Sequence, residues 1–148
     1  MKVEELDTPA LTIDLDVLER NIETVSERCR QNDIPLRVHT KTHKIPEIAR
    51  KQLDAGAIGI VSQKVGEAEA MVDAGIEDIL IPYNIVGRLK VDRLASLCKR
   101  GKITVAADSE ATVRGLSEGL SDNDTSVRVL VECDTGGGRC GVQTPEAA

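Results

Sequence analysis

The sequence lacks tryptophan and phenylalanine, and Tyr83 is its only tyrosine. Surfaces that bind nucleic acid combine basic patches with stacking aromatic rings, whereas this chain carries a formal net charge of −6. We therefore expect no nucleic-acid partner. No apolar run approaches the roughly 20 residues that cross a bilayer, and the N-terminus lacks the apolar stretch of a signal peptide. These absences predict a soluble, cytoplasmic protein with no membrane partner.

No Cys-x-x-Cys pair occurs among the four cysteines, which are Cys29, Cys98, Cys133 and Cys140. Thiols spaced in this way in a cytoplasmic protein are more often reduced than joined in disulfides or zinc sites. Cys133 and Cys140 would need further metal ligands that the sequence does not clearly supply, so we predict no metal site within these residues. With 148 residues, of which 41% are hydrophobic, the chain is long enough to bury a sizeable core.

Alternating strand and helix patterns are the main signal that the sequence does contain. Short apolar runs predict strands at 10–15, 36–41, 57–61, 78–82, 102–106 and 127–132. Helical patterns fill the intervals between these runs. Residues that cap or end the helices are predicted at Asp14 or Asp16, Gly56, Gly75, and Asp108 or Ser109.

Continuous apolar strands that alternate with helices are typical of an α/β fold with a parallel sheet covered by helices. The pattern fits either an open doubly wound sheet or a (β/α)8 barrel. Five strand–helix units begin after residue 36, whereas a barrel has eight units in roughly 250 residues. Thr144 and Pro145 then look like the start of another helix, so we expect the chain to be part of a longer protein.

A basic stretch at 37–44 contains both histidines of the chain. Read as a strand entering a loop, it places Arg37, His39, Lys41 and His43 on one face. Four basic groups on one face repel each other, and burying them is costly without a facing anion. Two interpretations stay open: a solvated basic loop, or an anion site in which a lysine crowded by cations becomes an uncharged nucleophile.

A glycine-rich stretch follows the last predicted strand, and Gly136, Gly138 and Gly141 spell GxGxxG. We reject a dinucleotide fingerprint, because its glycines should lead directly into a helix and the next helix start lies later. Either this stretch is a turn in which Arg139 pairs with Asp134, or Arg139 stands at the ligand-binding edge of the sheet. Gln63 also follows a strand and could face the same edge.

The stretch Arg-Val-His-Thr-Lys-Thr-His-Lys at 37–44 resembles the motif R-P-H-x-K-[TA]-H-K of the D-threonine aldolase and D-serine dehydratase group. These enzymes are fold-type III pyridoxal-phosphate proteins related to alanine racemase. Val38 departs from the usual proline of the motif. The resemblance continues in family order through 46–49, 63–68, 74–79 and 134–142.

This resemblance implies a parallel (β/α)8 TIM-type barrel, of which residues 16–148 would form the first part. Residues 1–15 would hold a strand of a second β-domain, and a C-terminal β-domain would be absent. Lys41 would form the Schiff base with pyridoxal 5'-phosphate, and Arg139 would reach the oxygen on the cofactor ring. Gln63 and His39 would complete the cofactor-binding residues of this chain.

The resemblance also implies a lyase that acts on D-3-hydroxy amino acids, with D-threonine aldolase preferred over D-serine dehydratase. An amino-acid racemase and a non-catalytic pyridoxal-phosphate protein are the remaining alternatives. A divalent metal (Mn, Mg or Zn), the catalytic base and most phosphate ligands would lie beyond residue 148. The full-length protein would be a homodimer, and the 148 residues alone would be inactive.

Overall fold

The computed structural model describes residues 2–148, in which five parallel strands alternate with five α-helices. None of these helices combines the length and apolar character that a membrane span requires. In chain order the elements are α1 Leu15–Gln31, β1 Arg37–His39, α2 Pro46–Asp54, β2 Gly59–Val61, α3 Val65–Asp73, β3 Asp78–Ile81, α4 Arg88–Cys98, β4 Lys102–Ala107, α5 Glu110–Asp122 and β5 Arg128–Val131. Short 3-10 turns lie at Val3–Glu5, Thr40–Thr42 and Pro145–Ala147.

The order of the strands decides between the two predicted architectures. The sheet runs β1-β2-β3-β4-β5, so each strand pairs in parallel with the next one along the chain. A doubly wound sheet reverses its strand order at a switch point, and no reversal occurs among the described strands. Sequential parallel pairing through helical crossovers is the arrangement from which a (β/α)8 barrel is built.

The core lies between the sheet and the helices that cover one of its faces. Ile60, Ile79 and Val105 of three adjacent strands are completely buried, in one cluster with Leu94 and Leu97 of α4. Burying an isoleucine or leucine side chain stabilises a fold by roughly 1.5–3 kcal/mol relative to leaving it exposed. The continuous apolar runs of the sequence therefore reflect strands that helices cover.

Most helix boundaries agree with those that the sequence predicts. Asp14 caps α1 by accepting a hydrogen bond from the Val17 N–H at 3.0 Å. Ser109, rather than Asp108, caps α5. Gly56 and Gly75 follow α2 and α3 with φ angles of +106° and +85°. Glycine adopts this left-handed conformation at little cost, which explains why both helices end there.

The predicted strand at 10–15 is wrong. Residues 10–14 form no regular element, and α1 begins at Leu15 because Asp14 provides its cap. Leu11 is 96% exposed, and no strand among residues 2–148 pairs with this segment. The assignment of residues 1–15 to a second β-domain stays a prediction.

The predicted strand at 36–41 is too long, since β1 ends at His39 and a 3-10 turn follows. Thr40 is fully buried, and its Oγ1 donates to the carbonyl oxygen of Val61 at 3.0 Å. This contact bends the chain away from the sheet. As a result, the alternation that would have placed Lys41 and His43 on the face of Arg37 does not continue.

Arg37 instead takes part in an ion-pair cluster at the amino ends of β1, β3 and β4. Asp78 contacts Arg37 Nη1 at 2.8 Å through Oδ1 and Lys102 Nζ at 2.6 Å through Oδ2. Partial burial acts to raise the pKa of Asp78, but the contacts with Lys102 and Arg37 outweigh it and lower the pKa below the ordinary aspartate value of 3.8. The charged carboxylate is therefore the form that the fold favours.

We expect Asp78→Asn to lower the free energy of unfolding by about 1–2 kcal/mol at pH 7, because it leaves the partly buried Arg37 and the exposed Lys102 without their shared anion. The folded pKa is depressed, so the carboxylate contributes fully above pH 3.8 and loses its contribution as the pH falls through the lowered value. Denaturant titrations should therefore show the difference from the unmodified chain shrinking below about pH 4. Asp73→Asn, which removes an exposed pair with Arg100, should change stability by less than about 0.5 kcal/mol. Equal losses for both variants would contradict this prediction.

Candidate functional site

A cavity of about 340 Å³ lies at the carboxyl ends of the strands. The loops that follow β1, β2, β3 and β5 line it, although β1 and β5 form opposite edges of the sheet. All four predicted site residues, Lys41, Arg139, Gln63 and His39, are among its lining residues. The structure thus brings together side chains that are up to about 100 positions apart in the sequence. Their roles toward a cofactor stay predictions.

The 3-10 turn after β1 presents Lys41 to this cavity. Thr40 anchors the turn inside the fold, while the ring Nδ1 of His39 accepts a hydrogen bond from the Lys41 backbone N–H at 3.3 Å. The N–H of Lys44 closes the turn on the carbonyl oxygen of Thr40 at 2.8 Å. Lys41 itself is exposed, so its amine is accessible to a molecule in the cavity.

A contact with Gln63 fixes the His39 ring. His39 Nε2 lies 3.1 Å from Gln63 Oε1. Because Nδ1 already accepts the N–H of Lys41, Nε2 must carry the hydrogen and donate it to the amide oxygen. This pattern assigns one neutral tautomer to His39 and directs its ring toward β2.

The second histidine, His43, makes different contacts from His39. His43 does not line the cavity, and its Nδ1 accepts a hydrogen bond from the Ile45 N–H at 3.0 Å at the start of α2. Burial lowers the pKa of His43, although contacts with Gln52 and Ile45 oppose the shift. Of the four basic residues predicted to share one face, only His39 and Lys41 reach the cavity.

The loop that carries Arg139 is organised around Asp134. One carboxylate oxygen accepts hydrogen bonds from the N–H groups of Gly136, Gly137 and Gly138 at 2.8–3.1 Å. The side-chain amide of Gln143 and these backbone groups lower the pKa of Asp134 to about 2. In the described part of the chain no ion pair joins Asp134 to Arg139. The carboxylate shapes the loop, and Arg139 lines the cavity without pairing with it.

Asp108 anchors the far end of the same loop. Its Oδ2 accepts the N–H of Gly141 at 2.9 Å, and its Oδ1 accepts from Asn84 Nδ2 at 2.6 Å. These two contacts lower the pKa of Asp108. Ligand atoms of Asp108, Glu132 and Cys140 lie within 4.8 Å of one another. The two hydrogen bonds of Asp108 hold the loop closed at Gly141 and Asn84.

Sequence reasoning did not identify Tyr83, Glu132 or Asp108 as parts of the site. Tyr83 follows β3 as Gln63 follows β2, and it lines the cavity with Glu132. That equivalent position was the available signal for Tyr83. Asp108 directly follows β4 and so carried the same positional signal, but its contact with Gly141, 33 residues away, could not be read from the sequence.

The residues present suit the aldehyde and ring-oxygen side of pyridoxal phosphate. Lys41 offers an accessible primary amine, and Arg139 offers a guanidinium group that pairs with anionic oxygens. The cavity volume of about 340 Å³ lies at the lower end of the range for small-molecule sites. Phosphate ligands beyond residue 148 stay a prediction.

Several known proteins are similar to this chain in both sequence and fold. It is 42% identical to the D-threonine aldolase of an Arthrobacter species over 137 residues, which cover 93% of this chain and 36% of that protein. It is 39% identical to the 3-hydroxy-D-aspartate aldolase of Paracoccus denitrificans, covering 99% and 38% of the two chains. The crystal structure of D-threonine aldolase from Filomicrobium marinum superimposes with a TM-score of 0.93 at 43% identity, covering 98% and 39%.

A relative with a different reaction also matches. The D-threo-3-hydroxyaspartate dehydratase of Delftia sp. is 35% identical over 93% of this chain and 36% of its own length. The chain thus spans less than two-fifths of the length of these relatives. Residues 13–148 match the family described as alanine racemase, N-terminal domain. The predicted resemblance is confirmed, and the five parallel strands form part of the barrel of that fold. This chain belongs to the alanine racemase N-terminal domain family.

Proposed function

We propose that this chain is the cofactor-binding first part of a pyridoxal-phosphate lyase that acts on D-3-hydroxy amino acids, with D-threonine as its substrate. The observation that carries the proposal is the convergence of Lys41, Arg139, His39 and Gln63 on one cavity at the carboxyl ends of the strands. The similarity to two aldolases of D-hydroxy amino acids supports the class of substrate.

Each residue has a distinct task in this proposal. Lys41 holds the cofactor through its amine, which the turn of residues 40–42 presents to the cavity. Arg139 orients anionic oxygens, because its guanidinium group donates several hydrogen bonds in one plane. When bound, pyridoxal phosphate supplies an electron sink for the carbon bond that breaks. His39 and Gln63 keep the Lys41 turn in place on the side of β2.

Several parts of the proposal concern residues beyond this chain. The base that takes the β-hydroxyl proton, a divalent cation (Mn, Mg or Zn) near that hydroxyl, and most phosphate ligands belong to the remaining part of the whole protein. A homodimer is proposed for the whole protein. Without these parts, the 148 residues should release no aldehyde from D-threonine.

A dehydratase is the second candidate, because the Delftia dehydratase matches nearly the whole chain. The two reactions give different carbonyl products. Aldol cleavage converts D-threonine to glycine and acetaldehyde, whereas dehydration and hydrolysis convert D-serine to pyruvate and ammonia.

The test is to incubate the whole protein, supplied with pyridoxal phosphate and a divalent cation, separately with D-threonine, D-serine and 3-hydroxy-D-aspartate. We expect acetaldehyde and glycine in equal amounts from D-threonine, and slower reactions with the other two. Pyruvate and ammonia from D-serine as the main products would replace the aldolase with the dehydratase. Interconversion of enantiomers without net consumption, or no turnover, would contradict the lyase proposal.

A further inference from the structure

Glu67 is a largely buried carboxylate that the proposed function does not yet use. It lies in the first turn of α3, and its side chain is 13% exposed. One oxygen accepts the backbone N–H of Gln63 at 2.9 Å, and the other lies 3.2 Å from Lys44 Nζ. Burial acts to raise the pKa of Glu67, but the Lys44 and Gln63 contacts outweigh it and lower the pKa. The ionised form is therefore held in place by two partners.

These two partners connect Glu67 to both ends of the turn that carries Lys41. On one side, the held Gln63 offers its amide oxygen to His39 Nε2 at 3.1 Å, and His39 Nδ1 receives the Lys41 N–H at 3.3 Å. On the other side, Lys44 follows the turn and contacts Glu67 directly. A single carboxylate thus restrains residues 39–44 from two directions.

The backbone at Lys44 shows that the turn needs such restraint. Lys44 has a φ angle of +55°, in the left-handed region that residues other than glycine rarely occupy. Such a conformation persists only when neighbouring contacts hold it. The ion pair with Glu67 and the hydrogen bond from the Lys44 N–H to Thr40 are the contacts that do so.

We propose that Glu67 is a positioning residue for Lys41, acting through Gln63 and His39 on one side and through Lys44 on the other. This inference rests on the proposed function in one respect, namely that Lys41 is the residue that binds the cofactor. The contacts themselves, and the His39 tautomer that they fix, do not depend on any cofactor. A purely structural role in starting α3 would stabilise the helix without affecting the His39 ring.

The first test reads the His39 ring by nitrogen NMR in the whole protein without cofactor. His39→Gln and His43→Gln variants assign the imidazole signals of the two histidines of this chain. We expect the unmodified protein to show His39 as the neutral tautomer that carries its hydrogen on Nε2. Glu67→Ala should convert this signal to a mixture of tautomers, and Glu67→Gln, which keeps an oxygen for the Gln63 N–H, should restore it.

Glu69→Ala is the matched control, because Glu69 lies on the same helix and pairs with Arg93 away from the Lys41 turn. It should lower stability without changing the His39 signal. Gln63→Ala should reproduce the effect of Glu67→Ala, and the double variant should add nothing further on the ring, since the three residues act in series. An unchanged His39 signal in Glu67→Ala, or an equal change in Glu69→Ala, would overturn the proposal.

The second test measures Lys41 in the whole protein. The yield of borohydride-stable pyridoxyl label on Lys41 at limiting pyridoxal phosphate should fall about tenfold in Glu67→Ala and recover in Glu67→Gln. Unchanged labelling of Glu67→Ala would overturn the positioning role even if the NMR signal changes. Absence of label on Lys41 in the unmodified protein would instead reject the proposed function, while the NMR result would still report on the contacts.

Discussion

Lys41→Arg is expected to abolish aldehyde release by the whole protein, with a loss of at least about 10³-fold in turnover. Arginine keeps the positive charge and much of the length, but its guanidinium group stays protonated and cannot act as an amine nucleophile. The measurement is acetaldehyde formed from D-threonine, together with mass spectrometry of peptides after borohydride reduction. We expect the pyridoxyl label of the unmodified protein to lie on Lys41 and to disappear from the variant.

Lys44→Arg is the matched control for this experiment. Lys44 lies in the same basic stretch but contacts Glu67, and it lines a different cavity from Lys41. Arginine can keep the ion pair, so we expect the label on Lys41 and most of the turnover to remain. Label on Lys44 or Lys64 in the unmodified protein, with Lys41 unlabelled, would contradict the assignment of the cofactor lysine.

Among the substitutions considered, Gly141→Ala is expected to destabilise the fold most, lowering the free energy of unfolding by about 3 kcal/mol. Gly141 has a φ angle of +104°, and a Cβ atom there would lie 2.4 Å from the Asp134 nitrogen and 2.6 Å from the Cys133 carbonyl carbon. These are backbone atoms that no side-chain rotation can relieve. Relief requires residue 141 to move away from the backbone of Cys133 and Asp134, which disturbs its hydrogen bond to Asp108 and the loop that carries Arg139.

Gly136→Ala separates the two causes of this loss. Gly136 also has a positive φ angle, +117°, but a Cβ atom there would meet nothing within 4 Å. We expect this variant to lose only the conformational cost of about 1–2 kcal/mol. Denaturant titration gives the stabilities, and fluorescence titration with pyridoxal phosphate gives the dissociation constants. Equal losses in the two variants would show that close backbone packing at Gly141 is unimportant.

The sequence predicts the sheet and helices well because burial dictates their residue pattern. Ile79 and Ile81 are buried under helices, and Gly75 is followed by a strand as the pattern requires. The segment at 10–15 misleads for the same reason, since Leu11 and Ile13 give an apolar alternation while both are exposed. An alternating apolar pattern predicts side chains that favour burial, but it does not show whether a neighbouring strand is present to pair with the segment.

In the candidate site, too, some residues could be predicted from the sequence and others could not. Lys41 and Arg139 belong to motifs that can be read locally, and both line the cavity. Glu67 and Asp108 act through hydrogen bonds to the backbone of Gln63 and Gly141. Every residue type except proline can supply a backbone N–H, so such contacts leave almost no trace in the residue pattern. The sequence therefore indicates which residues reach the cavity better than it indicates which residues hold them in place.

The sequential strand order has a consequence for how ligand binding and shape depend on each other. Five adjacent strands spaced about 4.8 Å apart would place β1 and β5 roughly 19 Å from each other in a flat sheet. The lysine and the arginine nevertheless reach one cavity of about 340 Å³ from these two outermost strands. A molecule that binds both residues would connect the two outermost strands at their carboxyl ends. Its affinity would therefore depend on how strongly the sheet is curved, and its binding would stabilise the curved form of the sheet.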